Sequence, residues 1–360
     1  SLGSVGQSGA AGVVSGMGRR GDPYATDTLL EMLYAVNPDV SLREMDMIAV
    51  CAEQIGGAVV AAHLQRAGLR ALYLTGQQAG IETTGTYIES ELKRFDPSRI
   101  LELITNGAVP LVGSGQGVGE KNEITMLGRG GGDTTAAILG VGLGASRVEI
   151  FTDVDGVLTA DPRVVPGARL IPRISFENCT DMARSGAKVM HPRAVEIAAE
   201  RPEMALYVRG LGCEGRGTLI CRSDGGAPRP VGVASQQGEL LVDEPADGAL
   251  AGECRAWGLE PVPAMLGGTA RFALGSKDER RFRYLLMETG AAPRVRYGLA
   301  RVSLIGDRLD QIPGAADAFS ALTGGAAAFR FTPGCLTAWV DGDGIGAVRG
   351  IHRAFIEGGI

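Results

Sequence analysis

The chain has 360 residues, 45% of them hydrophobic and 21% charged, which is the composition of an ordinary globular protein. A net charge of −6 argues against a protein that binds nucleic acid through a basic surface, and the six cysteines and three histidines lack the spacing of a zinc site. Apolar runs such as residues 58–62 are too short to cross a membrane and no signal peptide is visible, so we expect a cytoplasmic protein without a membrane segment.

The first two thirds of the chain alternate short apolar strands with helical segments. In chain order, the pattern predicts a strand over 11–17, helices over 27–35 and 43–67, strands over 69–75 and 108–114, a helix over 136–143 and a strand over 146–156. Such alternation is typical of a mostly parallel sheet with helices on both faces, which binds ligands at the carboxyl ends of its strands.

The last third predicts a repeated unit. The stretch SDGGAPRP, residues 223–230, is rich in Gly and Pro and indicates a connection between domains. After it, strands are predicted over 238–242, 262–266 and 270–274 with helices over 247–257 and 278–288. A second copy follows, with strands over 300–306, 328–331 and 336–340 and helices over 315–322 and 345–356. Each copy is too small for a full core until it is paired with the other.

The stretch LGRGGGDTTA, residues 127–136, has two interpretations. It is either a flexible turn followed by a helix that Asp133 or Thr134 caps, or an anion site built from helix N-terminal amides and Arg129. Its position after a predicted strand favours the anion site.

Several segments resemble the aspartate kinases of the amino-acid kinase family. They are GMGRRGDPYATDTLL, TGQQAGI, GRGGGDTTA, FTDVDGVLTADPR and GAKVMHPRAVEIA. The two C-terminal copies resemble the tandem ACT domains of such enzymes. The resemblance implies an α/β fold, an α/β/α sandwich with a mostly parallel open sheet, followed by two ACT domains of ferredoxin-like βαββαβ topology. The implied domains are a kinase domain over 1–222, a linker over 223–230 and ACT domains over 231–299 and 300–360.

The reaction that this resemblance implies is transfer of the γ-phosphoryl group of ATP, with Mg²⁺, to the side-chain carboxylate of L-aspartate or a close analogue. Thr26, Glu53, Arg129 and Asp133 then hold the amino acid, Asp133 and Lys188 serving in catalysis. Without the family, Glu53 would be interpreted as a carboxylate on a helix surface. The acceptor carboxylate is already ionised at pH 7 and needs no general base.

The nucleotide side is implied to consist of Thr152, Asp153, Arg163 and Lys188. By resemblance, Thr152 and Asp153 lie near the adenine and ribose, and the two basic residues face the phosphates. Lys188 is one of only four lysines in the chain. The acidic turn would by itself be an ordinary capped turn. His191, beside Pro192, is interpreted as structural, and no residue is assigned as a metal ligand.

The sequence departs from the family at three places. The family begins with a strand and a KFGGTS-like loop, whereas SLGSVGQ resembles only the tail of that motif. We therefore expect further residues before Ser1. Without the lysine of that loop, the alternative is an inactive homologue that binds amino acids and regulates a partner.

Gly115 and Gly132 stand where the family usually has an aromatic residue and a serine. The lost bulk indicates either a pocket for a modified aspartate, weaker binding of aspartate, or neutral drift. In the ACT domains, Ala246 replaces a turn glycine and Pro333 interrupts an effector strand, which argues against feedback inhibition by lysine or threonine. Pairing of ACT domains predicts a homodimer or larger assembly.

Overall fold

A computed structural model describes residues 10–14, 21–128, 130–187, 190–212, 215 and 217–358. The chain divides into two compact units, the first made of Ser1–Ile150 and Arg193–Tyr207, the second of Phe151–Pro192 and Val208–Ile360. The elements up to the first boundary are β1 (Gly12–Val14), α1 (Thr26–Val36), α2 (Leu42–Arg66), β2 (Ala71–Leu74), β3 (Ile81–Thr83), β4 (Leu92–Phe95), α3 (Ser98–Thr105), β5 (Val109–Gly113), β6 (Gln116–Val118), β7 (Ile124–Met126), α4 (Gly131–Gly142) and β8 (Arg147–Thr152).

The first unit is built on a parallel sheet of order β1-β5-β2. All five residues of the central strand β5 are buried, because helices cover both of its faces. Val109 and Leu111 pack with Ala61 of α2, whereas Val112 packs with residues of α3 and α4. Alternate residues of β5 therefore point to opposite faces of the sheet, and each face packs into a different hydrophobic core. This arrangement confirms the predicted α/β/α sandwich. A second, four-stranded sheet has the order β4-β3-β6-β7.

Helix α2 is the longest helix among the described residues. Ser41 caps it by accepting a hydrogen bond from the Glu44 amide, and its buried residues recur at helical spacing. By length and composition alone it could cross a bilayer, a test that a core helix of a soluble protein also passes. Here it packs against β2, β5 and β7 and buries two carboxylates, Asp46 and Glu53.

The chain passes between the two units three times, after Ile150, after Pro192 and after Tyr207. The elements that follow β8 are β9 (Arg173–Ser175), α5 (Phe176–Arg184), α6 (Pro192–Ala199), β10 (Ala205–Gly210) and β11 (Thr218–Cys221). These three strands and β8 form a sheet of order β8-β10-β11-β9.

The C-terminal part of the second unit is a closed barrel of order β12-β14-β13-β16-β17-β15. Its elements are β12 (Arg229–Val242), α7 (Ala249–Ala256), β13 (Val262–Leu266), β14 (Thr269–Leu274), α8 (Glu279–Thr289), β15 (Val295–Asp307), α9 (Ala315–Leu322), β16 (Ala328–Thr332), β17 (Cys335–Val340) and α10 (Ile345–Ile351), which a π-helical turn, His352–Glu357, extends. The predicted repeat of strand, helix, two strands and helix is confirmed.

Two strands are longer than the pattern predicts. We expected strands over 238–242 and 300–306, but β12 begins at Arg229 and β15 at Val295. The two pair antiparallel along most of their lengths, with a bulge between Gln236 and Glu239. Each therefore serves in both ACT-type modules. The first module has its own core around Phe272 and Phe282, and the second around Phe319 and Phe355.

Candidate active site

A buried acid and a hydroxyl meet where β5 ends. Glu53 of α2 is 8% exposed, and its Oε2 accepts a hydrogen bond of 2.7 Å from the Oγ of Ser114, the residue after β5. This is the carboxyl end of the central parallel strand, where open α/β sheets bind ligands. Burial of Glu53 argues against the interpretation of a surface carboxylate, because a carboxylate is rarely buried without a purpose or a partner.

The N-terminus of α4 lies against the same strand end. Gly130 caps the helix in the left-handed conformation, with φ 69°. The Thr135 hydroxyl accepts from the Gly115 amide at 2.9 Å and donates to the Gly131 carbonyl at 2.7 Å. The start of α4 therefore approaches the loop after β5 through the Thr135 hydroxyl and the backbone of Gly131. Helix N-terminal amides in such a position favour an anion.

Close approach of two backbones explains the glycine at position 115. A Cβ on Gly131 would lie 2.5 Å from the Gly115 Cα, and Gly115 itself has φ +64°. The space beside Gly115 is thus occupied by the start of α4 and by the Met126 methyl group, 3.5 Å from where its Cβ would lie. A side chain at position 115 would crowd the start of α4, which accounts for a glycine here, and the interpretation of a pocket for a modified aspartate stays a prediction. The close packing requires glycine.

Asp46 is a buried carboxylate that sequence reasoning missed. Asp46 is fully buried and lies seven residues, about two helical turns, before Glu53 on α2. It accepts hydrogen bonds from the amides of Ile88 and Met126 at 3.0 Å. Burial raises the pKa of Asp46, and the two amide bonds oppose that rise. Met126 is the last residue of β7, just before the glycine-rich loop, so Asp46 holds the end of that strand in place. Spacing of seven residues on one helix was the available signal.

Tyr73 fills the space between α2 and β5. A Cβ on Gly57 would lie 2.0 Å from its ring, and one on Gly113 would lie 2.2 Å from its hydroxyl oxygen. Burial, with a smaller contribution from the charge of Glu53, raises the pKa of Tyr73 to about 12. The phenol is therefore neutral at physiological pH. Gln116 joins it to the TGQQAGI turn, donating to the Tyr73 oxygen and accepting from the Gly76 amide.

Among the predicted amino-acid ligands, the structure brings Glu53 and the first turn of α4 to one strand end. Asp133 lies in that first turn, partly buried. Thr26 is the first residue of α1, which packs on α2. Arg129 lies outside the described residues.

Of the predicted nucleotide residues, Thr152 and Asp153 lie at the turn after β8, and Arg163 lies in the segment that follows that turn. Thr152 is the last residue of β8, and its hydroxyl donates to the carboxylate of the exposed Asp153 at 3.1 Å. Arg163 is largely exposed and forms an ion pair of 2.6 Å with Asp161, which raises the pKa of the guanidinium. Lys188 lies outside the described residues. His191 lies one residue before α6.

The described residues contain no group of three or more His, Cys, Asp or Glu side chains placed to hold a metal ion. A divalent cation with several protein carboxylates therefore has no cage within the described ranges.

The chain resembles known proteins along most of its length. A model of the amino acid kinase family matches residues 5–208. The aspartokinase of Corynebacterium glutamicum is 35% identical over 314 residues, which are 80% of this chain and 74% of that protein. Aspartokinase 1 of Bacillus subtilis is 42% identical over 208 residues, 58% of this chain and 51% of that protein.

The fold is also similar to that of solved structures. E. coli aspartokinase III in complex with aspartate and ADP has a TM-score of 0.79 at 24% identity, covering 92% of this chain and 80% of that one. The same enzyme in complex with lysine and aspartate has a TM-score of 0.67. At this identity the similarity establishes the fold alone.

The chain spans about half the length of the first curated relatives that it matches, from 50% to 56% of each. The family model nevertheless covers more than half of this chain, and the Corynebacterium match covers four fifths of it. Together with the parallel sheet, the glycine-bounded start of α4 and the buried acid at the end of β5, these matches lead to one conclusion: the chain belongs to the amino acid kinase family, as a member of its aspartokinase branch.

Proposed function

We propose that the protein transfers the γ-phosphoryl group of ATP to the side-chain carboxylate of L-aspartate. The observation that carries this proposal is the buried Glu53–Ser114 pair at the end of β5, beside the N-terminus of α4. An acid and a set of helix N-terminal amides suit the two ends of an amino acid, which carries both an ammonium and a carboxylate. Relatives at 35–42% identity are aspartokinases.

The chemistry needs little from the protein beyond position and charge. Both reactants are anions, so the site must neutralise charge and align the acceptor oxygen with the phosphorus. We assign Asp133 and Glu53 to the substrate ammonium and Arg129 to its α-carboxylate, with Thr26 as a further donor. Thr152, Asp153, Arg163 and Lys188 are assigned to the nucleotide. Mg²⁺ would neutralise phosphate charge when bound with ATP.

Glu53→Gln tests the substrate side. Gln can still accept the hydrogen bond from Ser114 but carries no charge, so we expect the KM for aspartate to rise about 10- to 100-fold, as for loss of a charge-assisted contact. The KM for ATP should change little. The assay traps the acyl phosphate product with hydroxylamine and measures the hydroxamate at varied concentrations of each substrate.

The matched control is Glu44→Gln on the exposed first turn of the same helix, where the side chain is 50% exposed. It should leave both KM values unchanged. Equal KM values for aspartate in Glu53→Gln and in the unmodified chain would remove Glu53 from the site. No hydroxamate from the unmodified chain would contradict the activity itself.

We further propose a homodimer formed through the ACT domains, residues 231–299 and 300–360. Exposed apolar side chains on α8 support it, since Met287 is 76% and Tyr284 51% exposed.

The five described cysteines are free thiols, which agrees with a cytoplasmic location.

A further inference from the structure

A hairpin directly follows the turn that carries Thr152 and Asp153. Its two arms are joined by hydrogen bonds from the Thr159 amide to the Arg169 carbonyl at 2.9 Å and from the Ile171 amide to the Val157 carbonyl at 2.8 Å. The hairpin, residues 157–171, also carries Arg163. Its base is held by Thr218, whose hydroxyl accepts from the Val157 amide and donates to the Ile171 carbonyl. Movement of the hairpin would therefore move the turn before it.

A buried histidine from the end of the chain holds this hairpin. His352 is fully buried, and its Nε2 lies 2.9 Å from the Thr159 hydroxyl, 193 residues away in sequence. Its Nδ1 lies 3.1 Å from Glu357. The Thr159 oxygen already accepts from the Arg169 amide at 2.9 Å, so its proton is available to Nε2. The neutral tautomer with the proton on Nδ1 satisfies every partner, with Nδ1–H donating to Glu357.

Two further bonds join the hairpin to the same C-terminal helix. The Arg349 Nε donates to the Val164 carbonyl at 2.8 Å, and the Arg169 Nη2 donates to the Ile356 carbonyl at 2.9 Å. Ala160 and Val165 of the hairpin belong to the same core as Ile351 and Phe355. The hairpin therefore packs as part of the second ACT-type module, although it belongs to the kinase segment of the chain.

We propose that His352 is a positioning residue for the nucleotide: through Thr159 it fixes the hairpin, and with it the Thr152–Asp153 turn, to the helix that ends the second module. The packing of that module then sets the affinity for ATP without touching the aspartate ligands. The proposal rests on the proposed function, because it takes the turn as part of the nucleotide site.

The test compares His352→Asn with His352→Gln. The Asn amide can reach toward Glu357 but not to Thr159, whereas the longer Gln places an acceptor near the position of Nε2. We expect Asn to raise the KM for ATP and the Kd of Mg·ADP about 2- to 30-fold, the range of residues that couple two sites. The KM for aspartate should stay within twofold, and Gln should recover most of the ATP affinity. Hydrogen exchange should show faster exchange of the Thr159 and Ile171 amides in the Asn variant.

Thr159→Val, with Thr159→Ser as its rescue, repeats the test from the other partner if His352→Asn fails to fold. Arg353→Ala, at an exposed neighbour on the same turn, is the control and should change nothing. Equal rises in the KM values for ATP and aspartate, or unchanged Mg·ADP affinity in both His352→Asn and Thr159→Val, would overturn the proposal. Failure of the unmodified chain to bind Mg·ADP would instead contradict the proposed function, and the positioning role would fall with it.

Discussion

At the residue scale, Asp46 and Glu239 are two buried carboxylates whose pKa values are raised by burial. Asp46 accepts hydrogen bonds from two backbone amides. Within the described part of the chain, Glu239 in β12 accepts a 3.3 Å hydrogen bond from the Trp339 indole and lies 3.6 Å from the Arg301 guanidinium. Burial raises the pKa of Glu239, and the charge of Arg301 only partly offsets that rise. The protonated form is therefore favoured more in the folded chain than in the unfolded one.

Glu239→Gln should change how stability depends on pH. Since the folded pKa lies above the ordinary value of 4.5, the folded state binds more protons in this window, and its stability falls as the pH rises from 4.5 through the raised pKa. Gln cannot ionise, so the variant should lack this fall. Each pKa unit of the rise corresponds to about 1.4 kcal/mol. Urea unfolding from pH 4 to 8 measures the difference.

Glu253→Gln, at an exposed position of α7, removes the same charge and is the control. Its free energy of unfolding, plotted against pH, should run parallel to that of the unmodified chain. If the curve of Glu239→Gln runs parallel as well, the folded and unfolded pKa values of Glu239 do not differ and the interpretation is wrong.

At the level of secondary-structure elements, the shared strands β12 and β15 are decisive for the regulatory half. Each carries one end in the first ACT-type module and the other in the second, and they pair from Arg229 with Asp307 to Val242 with Val295. Trp339 of β17 is fully buried beside Ala264 of β13, in a core that draws on both modules. Neither module completes its sheet without the strands of the other, so we expect the barrel to unfold as one cooperative unit.

Phe282→Ala tests this cooperativity. Phe282 is fully buried in the core of the first module, and its truncation should cost about 3–5 kcal/mol. Because the strands are shared, the unfolding midpoint reported by Trp339, which lies on strand β17 of the second module, should also fall. Trp257 and Trp339 are the two tryptophans of the chain, so fluorescence in a Trp257→Phe background reports Trp339 alone.

The same background without the Phe282 change provides the reference midpoint. Phe319→Ala, in the core of the second module, should shift the Trp339 midpoint by a similar amount. A Trp339 midpoint that responds to Phe319→Ala but not to Phe282→Ala would show that the modules unfold independently.

At the scale of the whole molecule, the proposed homodimer would cover an exposed apolar surface on α8. Met287 and Tyr284 are one helical turn apart on α8, and both leave large apolar surfaces in solvent. A self-complementary interface would bury both copies of this surface.

Met287→Glu should shift the protein toward monomer, because a buried carboxylate without a partner is costly. Light scattering coupled to size-exclusion chromatography, over a hundredfold range of protein concentration, measures the mass. Leu211→Glu is the control, since Leu211 is 77% exposed and lies outside the barrel. A dimer that withstands Met287→Glu as well as Leu211→Glu would place the interface elsewhere.

The sequence by itself predicted the C-terminal repeat and several strands and helices of the first unit, because hydrophobic alternation and glycine punctuation are local properties of the chain. Helix α9 has the predicted bounds, whereas the common site of Glu53 and the glycine-rich loop was predicted from the family resemblance and stays a prediction. Only the tertiary structure decided which distant groups meet. Asp46 with Ile88 and Met126, Gly115 against Gly131, and Thr159 with His352 are pairs that no local pattern contains. A buried polar group or a glycine shows its need for a partner in sequence, but chain folding chooses the partner, since contact depends on packing and not on distance along the chain.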